Sequence, residues 1–207
     1  FYDGEKYIPE AIENGATAVL LKKNDDSIKS IPCLYVENPL KAMSNISAQF
    51  YGNPSKKMNI IGVTGTNGKT SITHILHEFL QKVDISCGTL GTLGFQTPSG
   101  IISTGFTTPE SVELQQMLNT LLMANIKDVV MEISSHALDL HRVEDVDVNI
   151  AVFSNLTPEH LDFHGDMESY FQSKLKLFTR LNNDNAAIIN MDDPFSKRII
   201  KKTPAKV

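Results

Sequence analysis

The chain has 207 residues, 41% hydrophobic and 21% charged, with a formal net charge of −5. That length and balance give one large or two small globular units, each with a core that needs no staples. The acidic balance lacks a dense basic patch and argues against a nucleic-acid partner, and no apolar run approaches the ~20 residues of a membrane span.

Two cysteines, Cys33 and Cys87, lie far apart, offer no zinc spacing and fit a reducing cytoplasm. No signal peptide is visible. The chain opens on Phe1 rather than Met, so a natural start upstream of it is expected.

In chain order, residues 9–14 read as a short helix ended by Gly15, and residues 17–21 and 33–37 read as strands. Asn38 is a good N-cap and Pro39 a good first helical residue. Leu40, Met43, Ile46 and Phe50 then recur at helical spacing up to Gly52. Residues 51–57, YGNPSKK, are polar with Gly and Pro, which places a boundary between domains at 1–54 and 55–207.

The apolar run 58–63 leads into Gly62 to Ser71, GVTGTNGKTS, and then into a helical pattern. Strand, glycine-rich turn, lysine, hydroxyl and helix form the layout of a phosphate-binding loop. Gly65 and Gly68 let the backbone turn its N–H groups toward an anion, and the helix adds its positive N-terminal end. Lys69 can reach terminal phosphates and the Thr70 hydroxyl can sit on Mg²⁺. Val63 stands where the longer form of the pattern has glycine, leaving the shorter GTNGKT.

The following helix shows Ile72, Ile75, Leu76, Phe79, Leu80 and Val83 at period 3.6. His74 and His77 on it read as surface or boundary residues. Thr108 and Pro109 look like the cap of a helix running to Met123. Residues 128–133, 149–153 and 186–190 read as strands, and 170–181 as a helix. Strands alternating with helices predict an α/β fold: a small N-terminal α/β domain, then a phosphate-loop domain with a mostly parallel sheet flanked by helices.

Glu132 ends the apolar run of residues 129–131. Ligands of open α/β sheets bind beyond the carboxyl ends of strands, so a carboxylate there suits Mg²⁺ beside Lys69 and Thr70. The segment 153–165, FSNLTPEHLDFHG, brings Asn155, His160, Asp162 and His164 off the end of a strand. Thr157 and Pro158 read as a cap and first helical position, setting His160 and His164 one turn apart. A zinc site lacks a third ligand of matching spacing. The D-x-x-G of residues 162–165 lacks a companion guanine-reading segment, so helix capping accounts for Asp162 and His164. Ser134, Ser135 and His136 invite comparison with a serine nucleophile, but no nucleophile-elbow glycines flank them. By pattern alone Lys174 belongs to a solvated helix face.

Four segments in fixed order, GTNGKTS at 65–71, TTPES at 107–111, MEISSHALDLHR at 131–142 and FSNLTPEHLDFHGDMESYFQSK at 153–174, resemble the Mur ligase family. The similarity spans residues 3–193. Within the third and fourth segments, SSHALDLHR at 134–142 and LTPEHLDFHGDME at 156–168 point to the members that add the third residue of the peptidoglycan stem peptide. The phosphate loop alone also fits folylpolyglutamate synthases, and a non-catalytic nucleotide-binding module is the reading from another class.

The resemblance implies that ATP phosphorylates the free carboxylate of UDP-MurNAc-L-Ala-D-Glu and that the amine of a diamino acid, lysine or meso-diaminopimelate, attacks the acyl phosphate. Carried over by motif, Gly65, Thr66, Asn67, Gly68, Lys69, Thr70, Ser71 and Asn155 hold ATP. Thr70, Glu132 and His160 serve Mg²⁺. Thr107, Thr108, Ser134 and Arg142 contact the UDP-sugar peptide. Lys174 falls where the family carries a carbamylated lysine, a hard oxygen ligand for a second Mg²⁺. Phe106 and Leu140 depart from residues that some relatives use on the sugar peptide. The resemblance also puts most of a uracil-binding segment before Phe1 and a third domain after Val207, so little ligase activity is expected of these residues alone. A monomer is expected.

Overall fold

A computed structural model describes residues 4–22, 28, 30–97, 100–103 and 105–207. A turn of 3-10 helix, Gly4–Tyr7, runs into α1 (Ile8–Glu13), and β1 (Val19–Leu21) pairs in parallel with β2 (Cys33–Tyr35). Helix α2 (Pro39–Phe50) starts as its sequence dictates: the Asn38 side chain accepts from the Lys41 N–H at 3.1 Å, and Pro39 occupies the first turn.

The predicted apolar stripe of α2 is not its buried face. Leu40, Ile46 and Phe50 are exposed, whereas Ser44, Ser47 and Ala48 are buried. The helix packs its small residues against α4 (Ser111–Met123). Ser44 Oγ accepts from the Asp145 N–H at 3.2 Å, a contact a larger apolar residue could not make. Residues 51–57 are not an open linker. Pro54–Lys57 form a 3-10 turn, and the buried Ser55 accepts from the Asp147 N–H at 3.1 Å.

Seven strands form the main sheet: β3 (Asn59–Thr64), β4 (Cys87–Gly91), β5 (Gly94–Thr97), β6 (Gly100–Ile102), β7 (Asp128–Glu132), β8 (Ile150–Phe153) and β9 (Ala186–Ile189). Their order is β6-β5-β4-β7-β3-β8-β9. The five-strand block from β4 to β9 is parallel, as the alternation of strands and helices predicts. The antiparallel extension β4-β5-β6 was not legible: its strands are three to five residues long and rich in Gly and Thr, so they carry almost no alternation.

Helix α3 (Lys69–Lys82) covers one face of the sheet, with Ile72, Leu76 and Leu80 against Val63, Cys87, Val130 and Val152. Helix α4 and α7 (Met167–Thr179) contribute to the larger core on the other face, where Leu114, Leu118 and Leu121 join Met131, Phe153, Phe171 and Phe178. Short helices α5 (Ser135–Asp139), α6 (Leu161–His164) and α8 (Ser196–Ile200) complete the order. No helix among the described residues is long and apolar enough to cross a membrane.

Three further expectations are corrected. On α3, Ile75, Phe79 and Val83 face outward, while His77 is only 3% exposed, with Nε2 3.3 Å from the Gln81 amide nitrogen. The buried arc of the helix is narrower than its apolar arc, and it includes the histidine. Helix α4 begins at Ser111 behind Glu110, not at Thr108. The stretch 157–160 is not helical, and His160 precedes α6 in a left-handed conformation, φ 55°. His160 and His164 are still linked across one turn, since the His164 N–H donates to the His160 carbonyl at 3.0 Å.

Candidate functional site

The carboxyl ends of β3, β7 and β8 lie side by side, in register Val63↔Glu132 and Thr64↔Phe153. The loops that leave them therefore converge, as expected for ligand sites of open parallel sheets. After β3, the backbone at Gly65 takes φ 148°, and a Cβ there would collide with Ser154 Oγ. Only glycine lets the loop pass this close to the end of β8.

The loop is clamped from the β8 side. Asn155 Oδ1 accepts from the Asn67 N–H at 2.9 Å, and Asn155 Nδ2 donates to the Asn67 carbonyl at 3.0 Å. Ser154 Oγ donates to the same carbonyl at 2.6 Å, and the Thr66 N–H donates to the Asn155 carbonyl at 2.8 Å. Thr66 Oγ1 lies 3.2 Å from Tyr170 OH and accepts from the Thr157 N–H at 3.0 Å. Asn155, expected in the nucleotide site, thus shapes the loop with both ends of its amide. Asn67, Gly68 and Ser71 are exposed, which leaves the cradle open to an anion.

Lys69 folds back over this cradle, donating to the carbonyls of Gly65 at 3.0 Å and Thr66 at 2.8 Å. Burial lowers its pKa, with Glu159 and then Glu132 opposing the shift. Thr70 donates to Glu132 Oε2 at 2.9 Å. Glu132 is 1% exposed, and its Oε1 accepts from the Thr92 N–H at 2.8 Å. A Cβ on Gly91 would lie 2.8 Å from Glu132 Cδ, so the β4-β5 turn also needs glycine to admit this carboxylate. Sequence reasoning missed Thr92; its one signal is the GTLG turn at 91–94. A cavity of about 270 Å³ opens beside Thr70 and Glu132, lined also by Thr73, His74, Thr89 and Gln96.

Lys174 is the largest correction. It is 1% exposed rather than on a solvated face, and Nζ donates to the Gly65 carbonyl at 2.9 Å. It lies 4.6 Å from the centre of the Tyr170 ring. Desolvation, followed by the nearby Lys69 charge, pulls its pKa down to about 7. A buried amine near neutrality is the state that reacts with CO₂.

His160 stays more open, with 45% of its side chain exposed and Nε2 3.7 Å from Glu159. Its ring is 4.9 Å from that of His136, and His136 stacks on Phe163 at 4.2 Å. Burial and then the neighbouring His160, His164 and Arg142 lower the His136 pKa. Among the described residues no three His, Cys, Asp or Glu side chains converge to hold a metal by themselves. The structure brings Thr70 and Glu132 into contact, and sets Lys174 and His160 about the Tyr170 ring, 4.6 and 6.3 Å from its centre. A hydroxyl, a buried carboxylate and an open cradle fit a Mg²⁺ that takes its remaining ligands from phosphate and water.

The residues expected on the sugar peptide cluster around Thr108, which is buried. Thr108 Oγ1 donates to the Glu132 carbonyl at 2.9 Å and accepts from the Ser134 N–H at 3.1 Å. Arg142 Nη1 donates to the Thr108 carbonyl at 3.1 Å, pairs with Glu110, and lies 5.8 Å from the Phe106 ring centre. Thr107 Oγ1 is 3.1 Å from Thr92 Oγ1. Ser134 caps α5, accepting from the Ala137 N–H at 3.1 Å. Ser135 pairs not with His136 but with His164, whose Nε2 is 2.9 Å from Ser135 Oγ; His164 therefore has a tertiary role that helix capping does not describe.

Comparison with known proteins bears on this geometry. Residues 63–207 match the family described as Mur ligase middle domain. The chain is 42% identical over 205 residues to the UDP-N-acetylmuramoyl-L-alanyl-D-glutamate--2,6-diaminopimelate ligase of Caldanaerobacter subterraneus subsp. tengcongensis, covering 99% of this chain and 42% of that protein. It is 45% identical over 197 residues to the protein of the same name from Clostridioides difficile, covering 95% and 40%. A solved structure of a ligase of that name superposes with a TM-score of 0.82 at 29% identity, over 97% of this chain and 41% of that one. The ADP complex of MurF ligase from Thermotoga maritima shares the fold, with a TM-score of 0.63 at 22% identity over 99% and 44%. The chain spans about two fifths of the length of the curated relatives it matches.

Proposed function

The chain belongs to the Mur ligase family, and on that footing we propose that it is the nucleotide-binding part of an ATP-dependent amide ligase of peptidoglycan-precursor synthesis. The substrates are UDP-MurNAc-L-Ala-D-Glu and meso-diaminopimelate, the pair carried in the names of the relatives at 42% and 45% identity. Those names favour diaminopimelate over lysine and the cell-wall ligases over folylpolyglutamate synthases. The division into a substrate-binding unit at 1–54 and an ATP-binding unit at 55–207 is part of the same proposal, as are a cytoplasmic monomer and the absence of nucleic-acid partners and membrane insertion.

The observation that carries the reading is the buried Lys174 amine set against the carbonyl of the phosphate loop's own Gly65. A module that only binds nucleotide gains nothing from burying a lysine there, since desolvating an ammonium is costly. A ligase that turns it into a carbamate gains an anionic oxygen ligand beside the phosphates.

The barrier to phosphorylating a carboxylate is largely the repulsion between two anions. Lys69 leaves the Gly65 and Thr66 carbonyls to pair with the terminal phosphate, and loop N–H groups take the remaining oxygens. Thr70 and Glu132 would hold one Mg²⁺, with His160 and carbamylated Lys174 beside the second. When bound, Mg²⁺ supplies neutralisation of phosphate charge. Thr107, Thr108, Ser134 and Arg142 orient the sugar peptide, the Arg142 fork suiting a carboxylate or diphosphate. Thr108 also joins this group to the Glu132 carbonyl, and Thr107 reaches the Glu132 carboxylate through Thr92, so the acceptor carboxylate is placed relative to the metal site by both threonines.

The test is phosphate release from Mg-ATP by the full-length protein on addition of UDP-MurNAc-L-Ala-D-Glu and diaminopimelate. Release that requires both additions supports the ligase. Tight nucleotide binding without release supports the binding module, and release that requires a folate in place of the UDP substrate supports the folylpolyglutamate reading.

A further inference from the structure

Ser135 Oγ lies 2.9 Å from His164 Nε2, and His164 Nδ1 lies 3.2 Å from Asp139 Oδ2. A carboxylate only accepts, so Nδ1 carries the ring proton and Nε2 accepts from the Ser135 hydroxyl. The order is that of a hydrolytic triad. Ser135, however, is 1% exposed, as is the His164 side chain, so no substrate carbonyl reaches the hydroxyl. What the two bonds do is tie turns together.

Ser135 opens α5 three residues after Glu132. His164 closes α6, and its N–H donates to the carbonyl of His160. The relay therefore joins the end of β7, which bears Glu132, to the turn bearing His160. Helix α7 is held at the same point, because Ser173, next to Lys174, donates to the Ser135 carbonyl at 2.9 Å. The His164 ring also packs on Tyr170, centroids 4.9 Å apart and 31° between planes, and Tyr170 reaches Thr66 of the phosphate loop. Asp139 is braced in turn by Lys176 at 2.6 Å.

We propose that Asp139 and His164 are positioning residues that, acting through Ser135, hold the Glu132 end of β7 and the His160 turn at the separation required by divalent cations bound with nucleotide. The proposal rests on the ligase reading of the phosphate site. Partners that orient metal-binding groups from outside typically change metal affinity ~10–100-fold when removed.

The experiment is Mn²⁺ titration, followed by electron paramagnetic resonance, of the full-length protein with a non-hydrolysable ATP analogue. His164→Phe keeps a ring against Tyr170 and loses both hydrogen bonds. Ser135→Ala loses one bond with little change of shape. Asp139→Asn keeps an oxygen that accepts from Nδ1–H and serves as the conservative rescue. The expected result is Mn²⁺ affinity lowered ~10-fold or more in the first two, with metal-free nucleotide affinity unchanged, and Asp139→Asn within ~3-fold of the parent. Parent-like Mn²⁺ affinity in Ser135→Ala overturns the proposal even where His164→Phe fails to fold. A parent protein that binds no Mn²⁺-nucleotide overturns the ligase reading and this inference with it, whereas a binding parent with unchanged variants overturns this inference alone.

Discussion

Lys174 on α7 donates to the carbonyl of Gly65 across 2.9 Å, 109 residues away in the chain, and so joins a buried amine to the first of the two glycines on which the phosphate loop turns. Neither partner can be read separately. The glycine is needed because the loop passes against Ser154 Oγ, and the pKa of the amine falls to about 7 because it is buried, with the Lys69 charge adding to the shift.

The first prediction follows from the titration of this lysine. Its pKa is about 7 in the folded state against 10.5 when unperturbed. Between those values the unfolded chain holds a proton that the folded chain lacks, so stability rises with pH, by up to ~1.4 kcal/mol per unit. Below pH 7 both states are protonated and the cost of the buried ammonium is present in full. In CO₂-free buffer Lys174→Met should flatten the slope of stability against pH between about 7 and 10.5, read from urea midpoints across a pH series. An unchanged slope in the variant would show that Lys174 is not the group responsible. Added ¹³C-bicarbonate at pH 8 should give the parent, and not the variant, a carbamate resonance.

Gly65→Ala tests the turn itself. Alanine at φ 148° is strained, and its methyl group would press on Ser154 Oγ and within 3.1 Å of the Asn155 backbone. Strain at such a position costs ~1–3 kcal/mol. Displacing Ser154 and Asn155 would also loosen the clamp on Asn67. Lower thermal stability together with loss of ATP binding by calorimetry is expected; a variant that binds ATP with parental affinity would refute this account of the loop.

The parallel sheet and the phosphate loop were legible because their signals are local: apolar runs of five or six residues, and glycines at fixed offsets from Lys69. Asn38 and Pro39 announced α2 for the same reason. Several failures were decided by a partner distant in sequence. The face that α2 buries depends on α4, and its serines fit that approach where Leu40 and Phe50 do not. Thr108 looks like a helix cap but is drawn instead to the Glu132 carbonyl. The pattern of α7 cannot show that Lys174 points at Gly65; only resemblance to a family marked it. The Ser135–His164–Asp139 relay joins residues from two segments, and neither segment alone suggests it.

Glu132→Gln separates the metal from the fold. The glutamine oxygen can still accept from the Thr92 N–H, and the Thr70 hydroxyl can reverse to accept from the new amide. Stability should change by no more than ~1 kcal/mol, within the range of an ordinary hydrogen-bond alteration. Loss of the negative charge should weaken Mg²⁺-dependent nucleotide binding ~10-fold or more while leaving metal-free binding intact. Isothermal titration with and without Mg²⁺ distinguishes the two, and equal losses in both conditions would place Glu132 in a structural role.

Lys69→Ala tests the cradle and its coupling to Lys174 together. Lys69 bonds only loop carbonyls, at 3.0 and 2.8 Å, so its removal should leave the fold intact. A charge-assisted bond to phosphate is worth ~1.5–3 kcal/mol, which predicts ATP affinity lower by ~10–100-fold. The same substitution removes the charge that, after desolvation, does most to lower the Lys174 pKa. The lower limb of the pH–stability profile should therefore move to higher pH in Lys69→Ala, and the carbamate should form less readily at pH 7. Weaker ATP binding without that movement would mean that the two lysines act independently. Movement with unchanged ATP affinity would mean that Lys69 tunes Lys174 but does not hold phosphate, and would remove the phosphate loop from the proposed reaction.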